Sequence, residues 1–248
     1  MGAFKGWQST RKNKLFAGFP ALRSFVDREA FGFQGVYYDF DPRFNTFPGV
    51  NGVNLQSWWD TLSGIELKSG ISGFAPTFIN PTSIFNNLPS VNFPNINSRQ
   101  LVFNSEVGIG FNYNSFTLLS VHQQQALSSS ANVLINQNTD LGQKIVLAES
   151  DGSGFGFASI LSGSPFRAAA YDLNPVAMAL TSKSISKNGT TVASGDCTDS
   201  FSFKVLGSFG STRRLSGSIA RLIIFNHALS DSDLNRLTAN AKTFYNLP

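Results

Sequence analysis

The side chains able to do chemistry are few, and their spacing narrows what they can do. His122 and His227 are the only histidines, and Cys197 is the only cysteine. Nucleophilic catalysis needs a base beside a serine or thiol. Cys197 instead lies between Asp196 and Asp199, whose negative charge holds a thiol protonated; an inert, partly buried thiol is expected. No zinc spacing occurs. A calcium ion wants about six to eight oxygens, towards which Asp39 with Asp41, or Asp196 with Asp199, would each supply two carboxylates. Aspartates so placed more often satisfy their own backbone in turns, so no cofactor is expected, with Ca²⁺ the only metal to weigh. Sugar binding needs an exposed aromatic ring with polar groups around it. Trp58, Trp59 and Asp60, and Tyr113 within Asn112-Tyr113-Asn114, are the candidates. On a strand, Trp58 and Trp59 point to opposite faces, so one can be core while the other is exposed; a core role competes with stacking for both.

Strands must position these residues. Charged residues make up 14% of the chain, well below the ~25% of an average soluble domain. With 22 Gly and 24 Phe, the composition suits strands joined by turns, not helix bundles built from Glu, Lys, Leu and Ala. A chain of 248 residues is one all-β domain by default. One cysteine allows no intrachain disulfide, which excludes a bridge-stapled secreted fold. No apolar run approaches the ~18 residues of a membrane helix, and no signal peptide is evident. Met1-Gly2 opens like a myristoylation site, but Gly6 stands where Ser or Thr is required.

Strands are expected at 36–40, 55–60, 90–93, 100–103, 115–122, 144–148, 154–160, 176–186, 205–206 and 219–225. Pro76, Pro81, Pro89 and Pro94 read as loops crossing between sheets. Asn188-Gly189 is the strongest hairpin signal, because both residues tolerate the positive φ of a type I′ turn. Asn188-Gly189-Thr190 is also a glycosylation sequon and is read as that turn. In 219–225, Ile219, Arg221, Ile223 and Phe225 are expected on one face and Ala220, Leu222 and Ile224 on the other. Apolarity on both faces marks an interior strand. The period then changes: Ser230 can cap a helix whose first turn holds Asp231 and Asp233, with Leu234, Leu237, Ala241 and Phe244 on one stripe.

The stretch 182–237 carries Asn188-Gly189, Gly207-Ser208, Gly217-Ser218-Ile219-Ala220 and Asn226-His227-Ala228-Leu229-Ser230-Asp231 in order. It resembles the C-terminal half of the concanavalin A-like, laminin-G-like superfamily. Trp58-Trp59-Asp60 followed by Ser63-Gly64 is similar to an early segment of that family. The resemblance implies an all-β, two-sheet antiparallel jelly-roll sandwich with a short C-terminal helix, recognition of carbohydrate or protein, and a structural role for His227 in the turn motif. Some relatives hydrolyse glycans with an E-x-D-x-E strand. The nearest run here, Glu149-Ser150-Asp151-Gly152-Ser153, lacks the last acid, and retaining hydrolysis needs two carboxylates about 5 Å apart. A glycoside hydrolase is therefore the least favoured reading, and no enzyme is expected.

Residues 1–33 match nothing in that family. Positions 1–31 carry six basic against two acidic residues, which accounts for the entire net charge of +4. Aromatics are interleaved, and Phe4, Trp7, Arg11, Lys12, Lys14, Phe16 and Phe19 form an expected anchoring arm that docks on other protein subunits, ahead of a jelly-roll domain at 34–248. Such an arm can touch single-stranded nucleic acid, but the neutral body adds no basic face, so a protein partner is preferred. An arm this apolar needs a partner surface, which implies a homo-oligomer. The low-charge, Phe- and Ser-rich body with its arm is similar to virion proteins of tailed phages, such as capsid decoration or tail proteins. A virion assembly module is the leading expectation, with cytoplasmic or non-classical export otherwise; a module binding a surface glycan is the alternative.

Overall fold

The computed structural model describes residues 32–33, 35–44, 51–61, 65–69, 75–94, 101–103, 109–111, 116–125, 132–136, 144–150, 156–161, 166–171, 173–195, 201–203, 205–209 and 213–248. The first half contains β1 (Val36–Phe40), a 3-10 turn (Pro42–Phe44), β2 (Ser57–Trp59), β3 (Glu66–Ser69), β4 (Thr77–Thr82), a second 3-10 turn (Ser83–Phe85), β5 (Leu88–Phe93), β6 (Leu101–Phe103), β7 (Ile109–Phe111) and β8 (Thr117–Gln124). The central strands are β9 (Asn132–Asn136), β10 (Lys144–Ser150), β11 (Gly156–Leu161), β12 (Phe166–Tyr171) and β13 (Val176–Leu180). Then come β14 (Ser184–Lys187), β15 (Thr190–Ser194), β16 (Phe201–Phe203), β17 (Val205–Leu206), β18 (Ser208–Phe209), β19 (Arg213–Arg214), β20 (Gly217–Phe225) and the helix α1 (Asp231–Phe244).

Among the described residues, two large sheets form. The first runs β15-β14-β13-β8-β20-β5-β4, and the second β12-β11-β10-β9-β17-β6-β3-β2. Strand β20 meets β8 along one side; along the other it meets β5 at Gly217–Ile219 and β1 at Leu222–Phe225. Every described pairing is antiparallel, including those across 182–225. The fold is thus the expected all-β sandwich with a terminal helix.

Two apolar clusters give the sandwich a third layer. The inner cluster joins Leu118, Met178, Leu222 and Ile224 of the first sheet to Trp58, Leu67, Leu101 and Leu206 of the second. The outer cluster joins Leu119, Val121, Ala179, Ile223 and Phe225 to Leu234, Leu237 and Ala241 of α1. Sheet one is therefore covered on both faces, and all nine residues of β20 are buried. Its faces differ from simple alternation. A bulge between Ile219 and Arg221 inserts Ala220 as the unpaired residue. Ile219 thereby joins Leu222 and Ile224 in the inner cluster, while Ala220 joins Ile223 and Phe225 on the helix side.

The expected hairpin and helix form. Asn188 and Gly189 take φ of 50° and 96° between β14 and β15. The Asn188 carboxamide is part of the scaffold: its Oδ1 accepts the Ala177 N–H at 2.9 Å. Gly189 N–H donates to Thr238 Oγ1 at 2.9 Å, and a Cβ at Gly189 would stand 3.1 Å from that of Ala239, so the turn needs glycine for both its φ and its proximity to the helix. Ser230 caps α1, its Oγ accepting the Asp233 N–H. Leu234, Leu237 and Ala241 are buried and Phe244 is half-buried against the same cluster. Asp231, Asn235 and Thr238 reach Ser184, Ser186 and Thr191 through hydroxyl and carboxamide bonds.

The proline-rich region departs from expectation. Pro81 lies within β4 and Pro89 within β5. Strand β4 is a sheet edge, and its ladder shifts register between Ile79 and Thr82. A proline there gives up no ladder hydrogen bond. Phe33, the last residue of the expected arm, packs against the helix-side cluster under the Arg236 guanidinium, 4.6 Å from the ring centre.

Candidate functional site

Strand β2 ends the second sheet and pairs with β3, matching Ser57 with Lys68, Trp58 with Leu67 and Trp59 with Glu66. Period-two alternation therefore separates the two tryptophans. Trp58 is wholly buried beside Leu67 and meets Phe40 edge to face, ring centres 5.8 Å apart. Trp59 faces outward and is 37% exposed.

The outer face of β2–β3 surrounds Trp59 with polar groups. The Ser57 hydroxyl donates to Glu66 Oε1 at 2.6 Å. Lys68 Nζ stands 3.3 Å from Glu66 Oε2, with the lysine side chain 49% exposed and the glutamate 12%. A flat apolar ring thus adjoins a carboxylate that a hydroxyl and an ammonium hold in place. The carboxylate keeps acceptor capacity and the ammonium keeps donors. Ser57, Glu66 and Lys68 were missed in the sequence. The available signal was the i, i+2 spacing of Ser57 with Trp59 and of Glu66 with Lys68, either side of Ser63-Gly64.

Asp60 belongs to the scaffold. It is fully buried, and its Oδ1 accepts the Asp39 N–H at 2.5 Å. Its own N–H donates to the Ile65 carbonyl at 2.8 Å, closing the corner between β2 and β3. Tyr113 lies outside the described residues, as do Phe4, Trp7, Arg11, Lys12, Lys14, Phe16 and Phe19.

The charged groups where β1 meets β20 are sealed. Arg221 of β20 donates through Nε and Nη2 to the two Asp39 oxygens at 2.8 and 2.5 Å, and its Nε stands 3.5 Å from Asp41. Arg43 grips Asp41 with Nε and Nη2 and lies 5.0 Å from the centre of the Phe244 ring. Burial alone would lower the Arg221 pKa, but Asp39 and Asp41 outweigh it and hold it above its ordinary value. Tyr245, buried in the same place, is raised chiefly by desolvation. The two carboxylates weighed as calcium ligands thus face two guanidiniums. Among the described residues no group of three or more His, Cys, Asp or Glu converges; Asp196, Cys197 and Asp199 lie outside them, as do residues 151–153.

The histidines are far from the exposed ring in role. His122 is fully buried on β8, and desolvation pushes its pKa down to about 3, so its imidazole is neutral. His227 packs its ring against Phe225, and its carbonyl accepts the Thr117 hydroxyl at 2.9 Å.

No family model and no curated protein sequence matches the chain. Among solved structures, it is similar to the Trypanosoma rangeli sialidase in complex with the inhibitor DANA, with a TM-score of 0.52 and 13% identity over 96% of this chain and 38% of that one. It is also similar to the CBM40 of the Ruminococcus gnavus IT-sialidase bound to alpha2,3 sialyllactose, with a TM-score of 0.45 and 13% identity over 60% of this chain and 96% of that one. The chain thus spans 38% of the length of the trypanosomal sialidase, and the likeness is one of fold, an antiparallel β-sandwich.

Proposed function

We propose that this chain is a non-catalytic, lectin-like module that binds carbohydrate on the outer face of β2–β3. The observation that carries the reading is Trp59, an exposed indole set beside the anchored Glu66 carboxylate on a lectin-like sandwich. A lone exposed apolar residue is ordinary. A ring with two pre-oriented polar groups at its margin has the make-up of a ligand site: the indole covers the C–H face of a pyranose, Glu66 accepts hydroxyl protons, and Lys68 donates. Turnover by retention would need a second carboxylate about 5 Å from the first. The described residues on this face beside Glu66 are Ser57, Trp59 and Lys68, which supports binding without hydrolysis. Neither the fold nor the similar structures lend support to virion assembly, and residues 1–31 of the expected arm lie outside the described residues.

A glycan array probed with the whole chain and with Trp59→Ala tests the reading. The native chain is expected to bind a coherent set of glycans, and the variant to lose about tenfold in affinity with its thermal unfolding unchanged. No binding anywhere on a broad array would reject it.

A further inference from the structure

Resting on that reading, we infer that the site selects neutral pyranose chains and discriminates against acidic sugars. The argument begins with charge. Among the described residues, the outer face of β2–β3 holds one anion and one cation, Glu66 and Lys68, and these already contact one another at 3.3 Å. The ammonium's charge is therefore already balanced, although its other N–H donors remain open to a neutral hydroxyl. A carboxylate-bearing sugar would compete with Glu66 for the charge of Lys68, weakening the pairing of a carboxylate that is only 12% exposed and is otherwise held by the Ser57 hydroxyl. It would also bring its own negative charge against Glu66. A half-buried charge deprived of its partner costs more than the new exposed pair returns.

Sugar hydroxyls meet no such conflict. Glu66 accepts from Ser57 on one oxygen and faces Lys68 with the other, and each carboxylate oxygen has a second lone pair for an incoming O–H. Hydrogen bonds to an ionised acceptor are the stronger kind, so Glu66 rewards a ligand rich in donors. The shape agrees. Trp59 lies on the last strand of its sheet among the described residues, and beside it Lys68 is half exposed. A site at a sheet edge lets a polymer run past the ring, so internal sugars of a chain can be bound and a free terminus is not required.

Calorimetric titration of the full chain tests this with oligogalacturonate, its neutral methyl ester, and neutral gluco- and galacto-oligosaccharides. The ester has the same skeleton as the acid without its charge. Neutral ligands are expected to bind, with the ester at least about tenfold tighter than the acid and with little response to added salt. Trp59→Ala should weaken that binding about tenfold. Glu66→Gln should weaken neutral ligands and shrink the gap between acid and ester, a change that simple loss of fold would not produce; matching thermal unfolding of the variants confirms that they fold. Acid binding as tight as ester, or neutral binding unmoved by Trp59→Ala, overturns the inference while leaving glycan binding standing. Silence from every sugar here and on the broad array defeats both.

Discussion

Asp39–Arg221 and Glu66–Lys68 are built from the same kinds of functional group, a carboxylate and a cation, and they differ in the water that reaches them. The first pair lies at 2% and 1% exposure beneath the end of α1. The second sits on the outer face of β3, one strand in from the end of the other sheet among the described residues, with its lysine 49% exposed. Sealed in, the charges satisfy one another and join β1 to β20; no ligand can reach them. In solvent, the same chemistry is worth little to the fold and is left available to a visitor. The adjacent tryptophans repeat the contrast one residue apart: Trp58 is core, Trp59 is surface. Composition alone cannot separate such pairs. The pleat and the layer above it do.

The contrast can be broken most forcefully at Arg221. Arg221→Met leaves Asp39 and Asp41 buried without their shared guanidinium, and removing one partner of a buried ion pair costs roughly 3–5 kcal/mol. Chemical denaturation should show a loss near the top of that range; a loss below about 1 kcal/mol would mean that water already reaches the cluster.

The tryptophans sharpen the comparison in a single experiment. Trp58→Ala opens a core cavity and is expected to cost about 3–5 kcal/mol, whereas Trp59→Ala should change stability by less than about 1 kcal/mol. Equal effects by thermal unfolding would erase the distinction between inner and outer faces.

Acid probes the seal more gently. Folded His122 holds its pKa at about 3 against an ordinary 6.5 because burial excludes the charged form. The unfolded chain therefore binds a proton that the folded chain refuses across that window. Stability falls as pH drops from 6.5 towards 3, with this residue contributing up to about 1.4 kcal/mol per pH unit. His122→Leu should flatten that slope. An unchanged slope would assign the acid sensitivity to other groups.

Much of the scaffold was legible because local and global signals agree. Asn188-Gly189 demanded a tight turn, Ser230 with the Leu234–Leu237–Ala241 stripe demanded a helix, and both form. Strand β20 was evident from its apolarity, but its faces were not, since a bulge at Ala220 reverses the alternation and no residue type marks it. Pro81 and Pro89 hid β4 and the start of β5: Pro81 fits the edge strand β4, and Pro89 precedes the Val91–Phe93 stretch that pairs with β20. The site was half legible. Two adjacent tryptophans on a strand announced an inner and an outer ring, but which was which depended on Leu67 lying opposite Trp58. Glu66 and Lys68 escaped notice because β3 is short and polar. Asp60 drew attention as a carboxylate beside the rings, and only the return of β1 past it explains its burial.

The place of β20 has a consequence for how the chain is made. The strands it joins, β1, β5 and β8, are all translated before it, so during synthesis the first sheet lacks its middle while its flanks already exist. Such late, long-range closure slows folding and leaves unpaired strand edges open to strangers in the interim. A nascent polypeptide stalled before residue 217 would therefore be a natural client for chaperones that shield sticky surfaces.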